Sequence, residues 1–130
     1  SIINEKTIKG VFTPGFVSES ERHRYTREAK WMVTPPNTNE DLGLTPLEAR
    51  SVGVPCIVSK DGGLIETGGT HALTCDPGCV HSLLQCLKEA VKMSDKNYIQ
   101  KSKMAKENLQ DYVRPLDEYS QEYLSLLKLV

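Results

Sequence analysis

Two carboxylates frame the stretch of sequence that is best suited to chemistry. Glu40 and Glu48 lie eight positions apart, with Gly43 between them. Glycine lets a backbone approach a ligand closely, so a phosphate could rest on the amides of Gly43, Leu44 and Thr45. The two carboxylates could then accept hydroxyl groups on either side of that phosphate. The same residues also fit a plain structural role, in which Glu48 supports a helix cap and Glu40 is a loop charge.

The neighbouring residues predict a strand before this stretch and a helix after it. Residues 31–33 form a short apolar run that stops at Pro35, as a buried strand does. Thr45 suits the N-cap of the following helix, Pro46 its first position, and Gly53 its end. Ligands of open parallel sheets bind at this kind of junction between a strand and a helix.

Further elements follow from periodicity and turn residues. Strands are also predicted at residues 8–12, 55–58 and 72–74. A capping box at Ser18 and Glu21 predicts a helix to about residue 29, and two more amphipathic helices flank Pro115. The strongest helical pattern places Val80, Leu83, Leu84, Leu87 and Val91 on one face of a helix.

Strands that alternate with helices predict an α/β fold, with a Rossmann-like parallel sheet flanked by helices and extra helices at the C-terminal end. We expect one domain over residues 1–130, with its core at about 8–95 and the C-terminal helices at about 96–130. The N-terminus lacks Met and begins in strand-like residues, so we expect the chain to be part of a longer protein.

Composition excludes several classes of protein. The net charge of −1, from 16 basic and 17 acidic residues, argues against a nucleic-acid-coating protein. Neither a membrane span nor a secretory signal is visible. Cys75, Cys79 and His81 lack the second ligand pair of a zinc site, and buried thiols in a cytoplasmic protein are expected instead. The lysines of residues 92–106 indicate a solvated helix face, with weak membrane-surface contact as the alternative.

The stretch from Glu40 to Glu48 resembles the Glu-x7-Glu motif of group-1 (family 4) nucleotide-sugar glycosyltransferases with the GT-B fold. The resemblance covers about residues 8–95. Within this range, segments 31–35, 43–49, 53–55 and 61–66 follow the order and spacing of the family. It implies the C-terminal, donor-binding domain of a retaining enzyme, which moves a hexosyl group from a nucleoside-diphosphate sugar to an acceptor. It also implies that no metal or other cofactor is needed, because the nucleotide sugar is a substrate.

The resemblance implies which residues meet the sugar end of the donor. Glu40 would be the catalytic residue, bonded to a hydroxyl of the transferred sugar and supporting positive charge at its anomeric carbon. The backbone amides of Asp41, Leu42 and Gly43 would hold other sugar hydroxyls.

The nucleotide end would meet a second set of residues. Leu44 and Thr45 would face the diphosphate at the start of the helix, and Glu48 would accept the ribose hydroxyls. Gly62 and Gly63 would keep a tight loop beside the donor pocket, where a Cβ would crowd it.

The resemblance also implies what the chain lacks. Family members carry an Arg and a Lys upstream of residue 8 that neutralise the diphosphate, and neither can be assigned here. The acceptor domain would lie in the same parent chain or in a partner chain, so the 130 residues alone are expected to be inactive. A non-catalytic nucleotide-binding module and a GT-B sugar-nucleotide epimerase remain as alternatives. A dinucleotide oxidoreductase is disfavoured because G-x-G-x-x-G is absent.

Overall fold

A three-stranded parallel sheet forms the centre of the protein. The computed structural model describes residues 9–37, 41–107, 109, 112 and 114–127. The strands are β1 (Met32–Thr34), β2 (Cys56–Ser59) and β3 (Leu73–Cys75), and they lie in the order β1-β2-β3. Met32 is paired with Cys56, and Ile57 with Leu73. The predicted α/β, Rossmann-like class is confirmed.

Six helices surround the sheet in the part of the chain that the structure describes. They are α1 (Glu19–Glu28), α2 (Leu44–Ser51), α3 (Leu64–Gly68), α4 (Val80–Lys92), α5 (Asp95–Glu107) and α6 (Leu116–Leu127). The short helix α3 was not predicted, because the glycines on both sides of it indicate only turns.

The strand predicted at residues 8–12 is wrong for residues 9–12. These residues form a turn followed by irregular chain, and Ile8 lies outside the described residues. Gly10 takes a φ of 85°, which lies outside the β region of backbone conformation. The alternation of apolar residues there was too short to outweigh this glycine.

The middle strand, β2, is buried on both faces, as expected for a central parallel strand. Successive side chains of a strand point to opposite faces. Cys56 and Val58 therefore pack in one cluster with Ala49 and Leu64, from α2 and α3. Ile57 packs in the other cluster, which α4 completes. The sheet is thus covered by helices on both sides.

Helix α4 confirms the predicted helix, and part of its predicted apolar face packs on the sheet. The residues that face the sheet are Leu83, Cys86 and Ala90, whereas Val80 and Val91 are 81% and 86% exposed. The Cys86 thiol lies 3.4 Å from the carbonyl of Thr74, so the helix approaches β3 closely. Small side chains permit that approach, and a count of large apolar residues does not detect them.

The C-terminal helices differ in how they attach. Helix α5 is bonded to the end of α2, where Ser102 donates to the carbonyl of Gly53 at 2.5 Å. Helix α6 buries none of its residues, and its apolar side chains, including Tyr123 and Leu127, are exposed. Across the described residues, no helix has both the length and the apolar character that crossing a bilayer requires.

The four cysteines give a direct test of this burial pattern. Burial raises the pKa of Cys56 to about 12 and also raises the pKa of Cys75 and of Cys86. Cys79 is exposed. Since the thiolate is the nucleophile, we expect a disulfide reagent at pH 8 to modify one thiol per native chain quickly and the other three only on unfolding.

Cys79→Ser should abolish the fast phase and leave three slow thiols. Two or more fast thiols in the native protein would contradict the packing of α4 on the sheet. Denaturation in guanidinium, which should release every thiol at once, serves as the control.

Candidate functional site

Helix α2 begins two residues earlier than predicted. Gly43 is its N-cap, with a left-handed φ of 75°, and Leu44 is its first residue, so the prediction of Thr45 as N-cap is wrong. Pro46 is the third residue of the helix, where a missing N–H removes no intrahelical bond. The predicted end of the helix at Gly53 is confirmed. The N–H of Gly53 donates to the carbonyl of Arg50, and the N–H of Val54 donates to the carbonyl of Ala49, which is the pattern of a Schellman motif.

Loop 41–43 and loop 61–63 pack against each other at the start of α2. A Cβ on Gly63 would lie 2.4 Å from the carbonyl oxygen of Asp41 and 2.8 Å from the Cα of Leu42. Thr67, which is fully buried, has its hydroxyl 3.0 Å from the carbonyl oxygens of both Leu42 and Gly63. The two loops therefore form one surface, joined by a glycine contact and a buried hydroxyl.

Gly43 completes this packing from the other side. A Cβ there would lie 2.5 Å from a methyl group of Leu64, the first residue of α3. Its left-handed φ also disfavours any other residue. Gly62 has a φ of 47° in the turn that leads to α3, and it is exposed.

A cleft of about 390 Å³ opens between the end of β1 and the start of α2. Its lining residues are Val33, Thr34, Pro35, Pro36, Gly43, Leu44, Thr45, Pro46 and Leu64. Three of the predicted site residues, Gly43, Leu44 and Thr45, thus line one cavity. The first backbone N–H groups of a helix have no intrahelical partner, and the helix dipole is positive at this end. The cleft is therefore suited to an anionic group.

Glu48 lies in a second depression, one turn further along α2. Its carboxylate forms an ion pair with Arg22 of α1. A groove of about 230 Å³ between these helices is lined by His23, Thr26, Arg27, Glu48, Ser51 and Val52. The structure does not place Glu48 among the residues that line the cleft of Gly43, because the side chain is directed toward α1.

Arg22 is the residue of this region that the sequence analysis missed. It lies 26 positions before Glu48, and a single sequence contains no signal that connects two exposed charges so far apart. The capping box that starts α1 was predicted and is present, with Ser18 and Glu21 bonded to each other's backbone amides. That bonding lowers the pKa of Glu21 below its usual value.

The structure describes one of the first two predicted site residues, Asp41, and not the other. Glu40 lies outside the described residues, so its position relative to the cleft stays a prediction. Asp41 is exposed, and its backbone carbonyl, rather than its carboxylate, meets the glycine loop.

The cysteines and histidine that resembled part of a zinc site have other partners. Cys75 is buried and bonded to the carbonyl of Val58, and the Cys79 thiol accepts from the amide of Ser82 at the start of α4. His81 lies beside Gln85. Among the residues that the structure describes, no three His, Cys, Asp or Glu side chains are grouped so that they could hold a metal ion.

The fold and the site define a class of protein. A parallel sheet with helices on both faces, and a glycine-capped helix at the end of a strand, define a Rossmann-like α/β domain. In domains of this class ligands generally bind at the carboxyl edge of the sheet. Comparison with protein families refines that class: the family model of the glycosyl transferases group 1 matches residues 1–111. The chain belongs to this glycosyltransferase family. No curated protein matches it significantly in sequence.

Proposed function

We propose that the chain is the C-terminal, nucleotide-sugar-binding domain of a retaining family 4 enzyme with the GT-B fold. The observation that supports this best is the joined surface of loops 41–43 and 61–63 at the start of α2, which borders the cleft lined by Gly43, Leu44 and Thr45. The reaction proposed for the intact enzyme is transfer of a hexosyl group from a nucleoside-diphosphate sugar to an acceptor.

The donor would lie along α2, with its diphosphate at the start of the helix. The backbone amides of Leu44 and Thr45 and the positive end of the helix dipole would bind the phosphate oxygens. Leu44 and Glu48 lie about 6 Å apart along the helix axis, since each residue adds about 1.5 Å. A ribose attached to the diphosphate would therefore reach the Glu48 carboxylate, which accepts hydroxyl groups.

The transferred sugar would lie over loop 41–43, on the other side of the diphosphate. Backbone amides of Asp41, Leu42 and Gly43 would bond its hydroxyls, and Glu40 would act at the reacting sugar as the catalytic carboxylate. Gly63 supports this arrangement because it holds the loop from behind without a Cβ. No metal is proposed, so helix dipole and basic side chains would balance the diphosphate charge.

The proposed reaction needs partners that bring the acceptor and further positive charge. An N-terminal acceptor domain, in the same parent chain or in a partner chain, would close the cleft over the donor. We propose that the 130 residues bind the donor in the cytoplasm but do not transfer its sugar alone. No nucleic acid partner is proposed, and membrane contact would be weak at most.

Nucleotide binding is the first property to measure. Calorimetric titration of the chain with UDP, GDP and ADP is expected to show selective binding of one of them. Glu48→Ala should weaken that binding about tenfold or more, because each hydrogen bond to a charged group contributes roughly 1.5–3 kcal/mol.

Glu89→Ala is the matched control, since Glu89 is an exposed carboxylate on α4, outside the residues that line the cleft and the groove. Equal binding by Glu48→Ala and the wild type would contradict the ribose role of Glu48. Failure of every nucleotide to bind, also when the proposed N-terminal domain is supplied, would contradict the proposed function.

A further inference from the structure

The Glu48 carboxylate is fixed by a cation from a separate helix. The Arg22 guanidinium donates to Glu48 Oε2 across the groove between α1 and α2. The two side chains are 45% and 42% exposed, so the ion pair lies at the open side of the groove. A second guanidinium nitrogen of Arg22 lies 3.5 Å from His23 Nε2.

Helix α1 fixes the backbone of Arg22. The Arg22 amide donates to the carbonyl of Ser18 at 2.9 Å, within the capped first turn. The hydroxyl of Thr26 donates to the carbonyl of Arg22 at 2.9 Å. The amide and the carbonyl of Arg22 are therefore both hydrogen-bonded within the helix. The side chain that reaches Glu48 starts from a backbone position fixed by these bonds.

An ion pair this exposed contributes little to stability, because water and salt screen it. Its effect is on the orientation of the Glu48 side chain. A free Glu side chain samples several rotamers, and fixing it on ligand binding reduces affinity. Arg22 bonds one of the two carboxylate oxygens, whereas an ionised carboxylate has about four acceptor positions. The pair thus orders Glu48 and leaves acceptor capacity for hydroxyl groups.

We infer that Arg22 is a positioning residue for the ribose of the donor, acting through Glu48. This inference rests on the proposed function. Arg22 does not itself bind the ribose; it keeps the Glu48 carboxylate ordered at the groove, so that the two ribose hydroxyls meet a carboxylate that is already oriented. The nucleoside then lies over the groove of His23, Thr26 and Ser51, while the diphosphate occupies the start of α2.

Ribose discrimination tests this role. The chain is titrated with UDP, GDP and ADP and with dUDP, dGDP and dADP, which lack the 2′-hydroxyl. The wild type should prefer the ribose form of its nucleotide about tenfold, as one hydrogen bond to a charged group predicts. Arg22→Ala should reduce this preference to about threefold or less, and Arg22→Lys should restore part of it. Glu48→Ala should remove the preference.

Arg24→Ala is the matched control, because Arg24 also forms an ion pair from α1, but with Glu28 of the same helix and not with Glu48. It should keep the wild-type preference. Circular dichroism should show that all variants are folded.

Each other result overturns a definite part of the inference. An unchanged preference in Arg22→Ala, or equal weakening of ribose and deoxyribose binding, would overturn the positioning role while the proposed function stands. A preference that survives in Glu48→Ala would overturn the ribose role of Glu48. Absence of binding to the wild type, also when the proposed N-terminal domain is supplied, would overturn the proposed function, and the positioning role with it.

Discussion

Gly63→Ala is expected to lower the free energy of unfolding by about 3 kcal/mol, at the upper end of the usual penalty for overpacking. The new Cβ would lie 2.4 Å from the carbonyl oxygen of Asp41 and 2.8 Å from the Cα of Leu42. Both neighbours are backbone atoms, so relief requires the whole of loop 41–42 to move. Urea unfolding followed by circular dichroism measures the change.

The same substitution should also impair the proposed donor site. Moving loop 41–42 away from Gly63 breaks the contact that Thr67 makes with the Leu42 carbonyl. It also displaces the amides that would hold the sugar. We therefore expect Gly63→Ala to weaken binding of a nucleotide sugar more than binding of the matching nucleoside diphosphate.

Gly78→Ala separates the clash from the general effect of replacing a glycine. Gly78 has a left-handed φ of 66°, but a Cβ there would make only an ordinary contact of 3.7 Å with Asn37. Its replacement should cost about 1 kcal/mol, from backbone strain alone. Gly63 has a φ of −70°, so any larger effect of Gly63→Ala comes from the collision. A smaller loss at Gly63 than at Gly78 would contradict the loop packing.

Much of the fold could be predicted because it depends on local patterns. The run at residues 55–58 is apolar on both faces and gave the central strand β2. The capping box of Ser18 and Glu21 gave the start of α1, and Gly53 gave the end of α2. Each of these features is set by residues within a few positions, which a single sequence displays.

The errors occurred where distant residues compete with local preference. Thr45 is a good N-cap by type, yet helix α2 starts at Leu44 because Gly43 takes a left-handed conformation and packs on Leu64. The apolar face predicted for α4 contacts the sheet through Leu83, whereas Val80 and Val91 are exposed, because Cys86 and Ala90 allow a closer approach to β3 than large side chains would.

The candidate site was only partly predictable for the same reason. Glycine at positions 62 and 63 indicated a tight loop, but not that Gly63 meets the backbone of Asp41. The pairing of Arg22 with Glu48 depends on how α1 packs beside α2. Types of residue and their spacing suggested the ligand chemistry, and packing determined which side chains come together.

The largest stability effect is expected for Arg50, which is fully buried. Its Nε donates to the carbonyl of Ala105 at 3.1 Å and a terminal nitrogen donates to the carbonyl of Thr67 at 2.7 Å. The guanidinium also lies 5.8 Å from the ring centre of Tyr112. One side chain of α2 thus connects α3 and α5.

Arg50→Ala should destabilise the protein by about 4 kcal/mol. It leaves two carbonyls without their guanidinium donor, at roughly 1–3 kcal/mol each, and it opens a cavity in addition. Arg50→Lys should lose about half as much, because an ammonium on a shorter stem can reach one carbonyl at a time. Urea unfolding measures both variants.

Arg114→Ala is the appropriate control, because Arg114 pairs with Glu122 at 2.9 Å but is 40% exposed, so its loss should have little effect on stability. If Arg50→Ala cost no more than this control, the guanidinium would not connect the helices. A large loss has a consequence for the site as well. Arg50 and Glu48 are two positions apart on α2 and face opposite sides of it, so the helix that offers Glu48 to the groove is held in place from behind by Arg50.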